Sequence, residues 1–145
     1  MKRLFYLAIL LLAGQILAAC GDDEASPTAE ELQIEKLTAT WIIGEEGSVT
    51  RDNISSDEWE DFTLTLSEFS YTTTNTHPDV WPVKGTWSFV EDNLDQVERG
   101  DGLIINVDIN EDEKTLTLRF THPGKNSNGR IAGVAGEYTF ILIKR

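Results

Sequence analysis

The chain has 145 residues, 25 acidic against 12 basic, with a formal charge of −13 and a single cysteine. That length suits one domain behind a leader, large enough to bury a core without disulfides, and a lone cysteine admits no intramolecular disulfide. So acidic a chain is repelled by nucleic-acid phosphate, which excludes a nucleic-acid partner.

The first element is a leader. Met1-Lys2-Arg3 is a short positive start, Leu4 to Gly14 ("LFYLAILLLAG") is almost wholly apolar, and Leu17-Ala18-Ala19 supplies small residues just before Cys20. Charged start, apolar middle and small-residue end make a secretory signal over residues 1–19. A membrane-spanning helix needs roughly 20 apolar residues, but Gln15 interrupts this run and Gly21-Asp22-Asp23 ends it.

"LAAC" (17–20) resembles the lipobox of bacterial lipoproteins. The resemblance implies that Cys20 carries a diacylglycerol, becomes the mature N-terminus and is acylated on its new amine. More than one acyl chain is what stable anchoring requires, since each buried CH₂ contributes roughly 0.8 kcal/mol. Residues 20–31 then read as the lipidated cysteine and an acidic tether, with little to bury. Its "GDDE" is similar to the acidic signal that exports lipoproteins to the outer cell surface in one phylum of Gram-negative bacteria. The expected address is the cell envelope, as an outer-membrane lipoprotein that can be surface-exposed. Without residues 1–19, 10 basic residues face 25 acidic ones and the formal charge becomes −15. Anionic lipid repels such a chain overall, so the membrane is held through the lipid.

Residues 32–145 form the expected folded domain. "EELQIEKLTATW" makes a short helical turn before a strand, with Ile34 and Leu37 on one face. Period-2 alternation then dominates. Phe62, Leu64 and Leu66 share a face, as do Trp87 and Phe89, then Leu103, Ile105, Val107 and Ile109, then Leu116, Leu118 and Phe120. In the last strand Tyr138, Phe140 and Leu142 face one way, and the other face is apolar too, predicting cover on both sides. Two weaker strands span 48–52 and 69–75. "GEEG" (44–47) reads as a hairpin turn, "HPDVWP" (77–82) as a loop and "HPGKNSNG" (122–129) as a longer one. About eight short strands with regular turn signals predict an all-β antiparallel barrel.

"LTATW" (37–41), "DFTLTL" (61–66), "YTTTN" (71–75), "WPVKGTWSF" (81–89), "RGDGLIINV" (99–107), "TLTLRF" (115–120) and "GEYTF" (136–140) together resemble small lipocalin-like lipoproteins, a family with no settled activity. The resemblance implies an up-and-down β-barrel after a short helical turn. Lipocalins open with Gly-x-Trp; here the position reads Ala39-Thr40-Trp41, and the true Gly-x-Trp, at 85–87, lies mid-chain. The family's Trp packs across the closed end of the barrel, a role that carries over to Trp41. A late Arg often covers it, and Arg145 is the late candidate.

The chemistry-bearing residues mostly read as structure. His77 and His122 both sit in Thr-His-Pro triplets, where a turn explains them better than a metal, which would need further ligands and fixed geometry. Asp108-x-Asn110-x-Asp112 begins like a calcium loop, but Glu113 stands where glycine is needed and Arg119 where the final Glu is needed, so it reads as a hairpin. No G-x-S-x-G occurs, the cysteine is committed to lipid, and no motif calls for a cofactor. Arg99-Gly100-Asp101 spells an adhesion tripeptide at a turn. Trp59 and Trp81 lie in polar or proline-containing loops. They are the candidate ligand-binding residues, as exposed aromatics that offer a face to a small molecule or sugar. The competing reading makes them lids over an open barrel end. Trp87 belongs to the core by alternation. The large inward residues predict a narrow cavity or none. The sequence thus points to a non-enzymatic, lipid-anchored module that binds a small molecule, a glycan or an envelope protein. The alternative is an accessory lipoprotein with a filled barrel. Cavity volume separates the two.

Overall fold

The computed structural model describes residues 25–124 and 133–145. Cys20, the signal segment and the start of the tether lie outside the described residues.

The helix α1 (Ala29–Leu37) opens the described fold. Thr28 starts it through a capping box: its hydroxyl accepts from the Glu31 amide, and the Glu31 carboxylate accepts from the Thr28 amide. Glu30 and Glu31 occupy the positive first turn and Lys36 the last. The helix therefore takes in residues 29–31, which the sequence pattern gives to the tether; the cap uses the tether's own Thr28.

Ten strands follow: β1 (Ala39–Ile42), β2 (Ser48–Arg51), β3 (Ile54–Ser55), β4 (Thr63–Ser67), β5 (Ser70–Thr74), β6 (Lys84–Val90), β7 (Asn93–Arg99), β8 (Ile104–Asn110), β9 (Thr115–His122) and β10 (Gly136–Lys144). β1 pairs β4, and each strand from β4 to β10 pairs the next, all antiparallel; β10 returns to β1 through Trp41 opposite Lys144 and Ile42 opposite Ile143. The result is a closed barrel of eight antiparallel strands, as the alternation and turn spacing predict. Closure leaves the barrel without an open sheet edge.

The eight strands are not the eight read from the pattern. β2 is the continuation of β1: both run along β10, β1 at its end and β2 at its middle, from Ile141 opposite Ser48 to Tyr138 opposite Arg51. Gly44 to Gly47 is thus a break within one long strand rather than a hairpin between two. Gly47 sits so close to neighbouring backbone that a Cβ would lie 2.1 Å from the Ile43 carbonyl oxygen and 2.5 Å from that of Ile141. The eighth barrel strand is β7. Its inward positions are Val97 and Arg99, and a buried arginine hides the alternation. β3 folds back on β2 through Asp52 and Asn53, both at positive φ, as a two-residue hairpin requires.

Inside, the expected stripes meet. Leu64, Ile105, Val107, Leu116, Leu118, Phe120, Tyr138, Phe140 and Leu142 are all buried. The outer face of β10 (Thr139, Ile141, Ile143) is only half-buried, so that strand is not covered on both sides. Trp41 closes the end beneath α1. It is fully buried, and its indole N–H donates to the Leu37 carbonyl at 2.9 Å. The cation over its ring is Lys144, with Nζ 5.8 Å from the ring centroid, rather than Arg145. Trp87 is buried on the inner face of β6, and its indole N–H is shared between the carbonyls of Ser67 and Ser70, both at 3.1 Å.

Candidate functional site at the loop end of the barrel

Opposite α1 converge the segment from β2 to β4, the β5–β6 loop, the β7–β8 turn and the described ends of the β9–β10 connection. Trp59 ends a single 3-10 turn, Asp57–Trp59, and Trp81 sits in the β5–β6 loop. Both are corrected from exposed aromatics to core residues: Trp59 is 2% exposed and Trp81 3%. Trp59 meets Phe62 at 5.4 Å and Phe140 at 4.9 Å, both edge-on. Trp81 meets Phe120 at 5.4 Å and Phe140 at 5.5 Å. Edge-to-face contacts of this kind are each worth about 0.5–1.5 kcal/mol beyond the area buried. Polar flanks mislead here because the loop folds inward and carries the indole with it.

The loop is held in place by its own backbone. The amides of Val80 and Trp81 both donate to the His77 carbonyl, at 2.9 and 2.8 Å. Thr76 Oγ1 donates to the Trp81 carbonyl and Thr73 Oγ1 to that of Pro82, at 2.6 and 3.0 Å. These bonds turn Trp81 down into the barrel mouth. Among the described residues, Trp81 Nε1 and His77 Nδ1 have no hydrogen-bond partner, although both atoms are buried.

Arg99 locks this arrangement, and nothing in the sequence singles it out beyond the tripeptide. It is 3% exposed. Nη1 donates to the Val80 carbonyl at 2.9 Å, while Nε and Nη2 grip the Asp101 carboxylate at 2.9 and 2.7 Å. Its guanidinium carbon lies 5.3 Å from the Trp81 ring centroid. The fork geometry of the guanidinium allows all three contacts at once. Arg99 holds the Asp101 carboxyl below the usual carboxylate range through these hydrogen bonds. Burial pushes the Tyr71 hydroxyl up. The tripeptide is therefore an internal clasp, with its arginine unavailable to a partner.

His122 ends β9 on the inner side and is buried. Its Nδ1 accepts from the Gly124 amide at 3.1 Å. Burial, and then the Arg99 cation, hold its pKa below the ordinary histidine value. His77 and His122 lie at the same end, but among the described residues no group of three His, Cys, Asp or Glu side chains is placed to hold a metal ion. Asn110 accepts from the Glu113 amide at 3.2 Å, so the calcium-like stretch is a hairpin turn.

Within the barrel, below Trp81, the described residues leave a cavity of about 30 Å³, lined by side chains that include Leu64, Tyr71, Trp87, Arg99, Val107 and Leu118. A void of that size admits one or two waters; an aromatic guest needs nearer 150 Å³. The loop end is thus filled and clasped. No family model, curated protein or solved structure matches the chain.

Proposed function

We propose that this protein is a non-enzymatic, lipid-anchored lipoprotein of the cell envelope whose lipocalin-like barrel carries no interior ligand. It is an accessory domain that acts through its outer surface on an envelope partner. The observation that carries this reading is the filled interior: Trp59 and Trp81 plug the mouth against Phe62, Tyr71, Phe120, Tyr138 and Phe140, and about 30 Å³ remains beneath them. The anchor rests on "LAAC" at 17–20 with lipid on Cys20, and the outer-membrane, surface-facing address on the acidic "GDDE" that follows.

A second reading has an observation of its own. Trp81 Nε1, without a partner among the described residues, and the polar Tyr71 and Arg99 beside the cavity favour a binding module whose mouth opens to a small guest gripped by Trp59 and Trp81. Mass spectrometry of the natively expressed protein, before and after denaturation, separates the two. The filled-barrel reading expects no small molecule released in stoichiometric amount. A stoichiometric guest would overturn it in favour of the second.

A further inference from the structure

The closed end carries an uneven charge. Of the ten basic residues that follow residue 19, four line one groove there: Lys36, Lys114, Lys144 and Arg145. The groove is about 440 Å³ and runs from α1 across the β8–β9 turn to the end of β10. Its single lining carboxylate, Glu111, is already paired with Lys36 at 2.6 Å. Asp112 and Glu113, at the tip of the same turn, do not line it. Lys144 rests on the Trp41 ring, and among the described residues neither it nor Lys114 is paired with a carboxylate. Even with Arg145 set against its own carboxylate, the groove keeps two cations outside any salt bridge among the described residues, on a domain that is otherwise strongly acidic. Charges farther away than about 8 Å are screened at physiological salt, so an anion in the groove meets these cations more than the net charge.

The described chain also enters the barrel at this end. Gln33 Nε2 donates to the Leu94 carbonyl at 3.3 Å, and the Lys36–Glu111 pair lies one turn on, so α1 is held against the closed end and the chain reaches the barrel there. Thr28 is eight chain steps from Cys20, a reach of at most roughly 28 Å. We propose that this groove binds the phosphate of an anionic lipid headgroup and seats the barrel with its closed end on the membrane and its clasped loop end outward. The proposal rests on the reading of Cys20 as the lipid anchor. A free phosphate ion offers the same chemistry; the anchor's reach selects the headgroup.

The test uses the full, processed chain on vesicles of phosphatidylcholine, with and without phosphatidylglycerol, and reads acetylation of lysine amines by mass spectrometry. Lys84, exposed where β6 begins at the loop end, is the internal reference. Flotation on plain phosphatidylcholine reads the anchor alone, so a chain that does not float fails the Cys20 reading and not the groove. Phosphatidylglycerol should slow acetylation of Lys114 and Lys144 about fivefold, the factor matching one lysine's attraction to an anionic surface, and leave Lys84 unchanged. Lys114→Glu should abolish the protection of Lys144 while flotation persists. No phosphatidylglycerol-dependent protection, or equal protection of Lys84, would overturn the proposal. So would equal protection by inorganic phosphate on plain phosphatidylcholine, which would make the groove a small-anion site.

Discussion

Replacing Trp81 by alanine tests whether the loop end is core or rim. A tryptophan exposed in a loop costs well under about 1 kcal/mol when truncated. Trp81 is instead buried against Phe62, Tyr71, Phe120 and Phe140, with ring centroids 5.4–6.2 Å away. Its loss should cost about 3–5 kcal/mol, near the upper end because Arg99 also loses the ring it rests on. In a domain of this size that lowers Tm by at least about 12 °C. Trp87→Ala, equally buried, should cost a similar amount. The space vacated by the indole joins the existing cavity, which Trp81 lines. Added indole should therefore restore Trp81→Ala by about 2.7 kcal/mol at a hundredfold excess over its Kd and leave the parent unchanged. Denaturant unfolding of the three proteins, with and without indole, measures both effects. A loss below about 1 kcal/mol for Trp81→Ala beside a full loss for Trp87→Ala would refute the buried plug.

Asp101→Ala should be costlier than Arg99→Met: the first leaves the buried Arg99 guanidinium without its carboxylate, whereas the second removes the buried charge, leaves the Val80 carbonyl unpaired at about 1–3 kcal/mol and lets half-exposed Asp101 rehydrate; equal losses in urea melts would argue against the clasp. His122 has a folded pKa below its ordinary value of 6.5, so its contribution is complete above about pH 6.5 and falls away as the unfolded chain takes up the proton below that. His122→Gln should flatten stability between pH 6.5 and 5, a window well above the carboxylate range in which Asp101 titrates; an unchanged slope would show that the imidazole is not the group responsible. Gly47→Ala should destabilise by about 1–3 kcal/mol, because its Cβ would meet backbone oxygens of both β10 and the preceding turn; a neutral melt would mean that the strand break is looser than described. Cys20→Ser should move the protein from the membrane fraction to the soluble fraction or leave it unprocessed, and a mature, membrane-bound Cys20→Ser protein would remove the lipid anchor from the proposed function.

The sequence by itself determined the stripes. Leu64, Val107, Leu116, Leu118 and Phe120 alternate with polar residues, and a period of two is a local property that survives whichever strands become neighbours. It also placed Trp87 inward, whereas the place of Trp41 came only from the resemblance. Tertiary structure alone decided three things. It joined β1 and β2 into one broken strand, since both halves are read against β10, nearly a hundred residues away. It admitted β7, whose inward arginine carries no apolar signal and is tolerable only because Val80, Asp101 and Trp81 surround it. It also buried Trp59 and Trp81. Their polar and proline neighbours report the solvent beside the chain, whereas burial is decided by the distant β9 and β10 aromatics onto which each loop folds. Alternation is written in adjacent residues; closure and the filling of a barrel's mouth are agreements between residues that only the folded chain brings together.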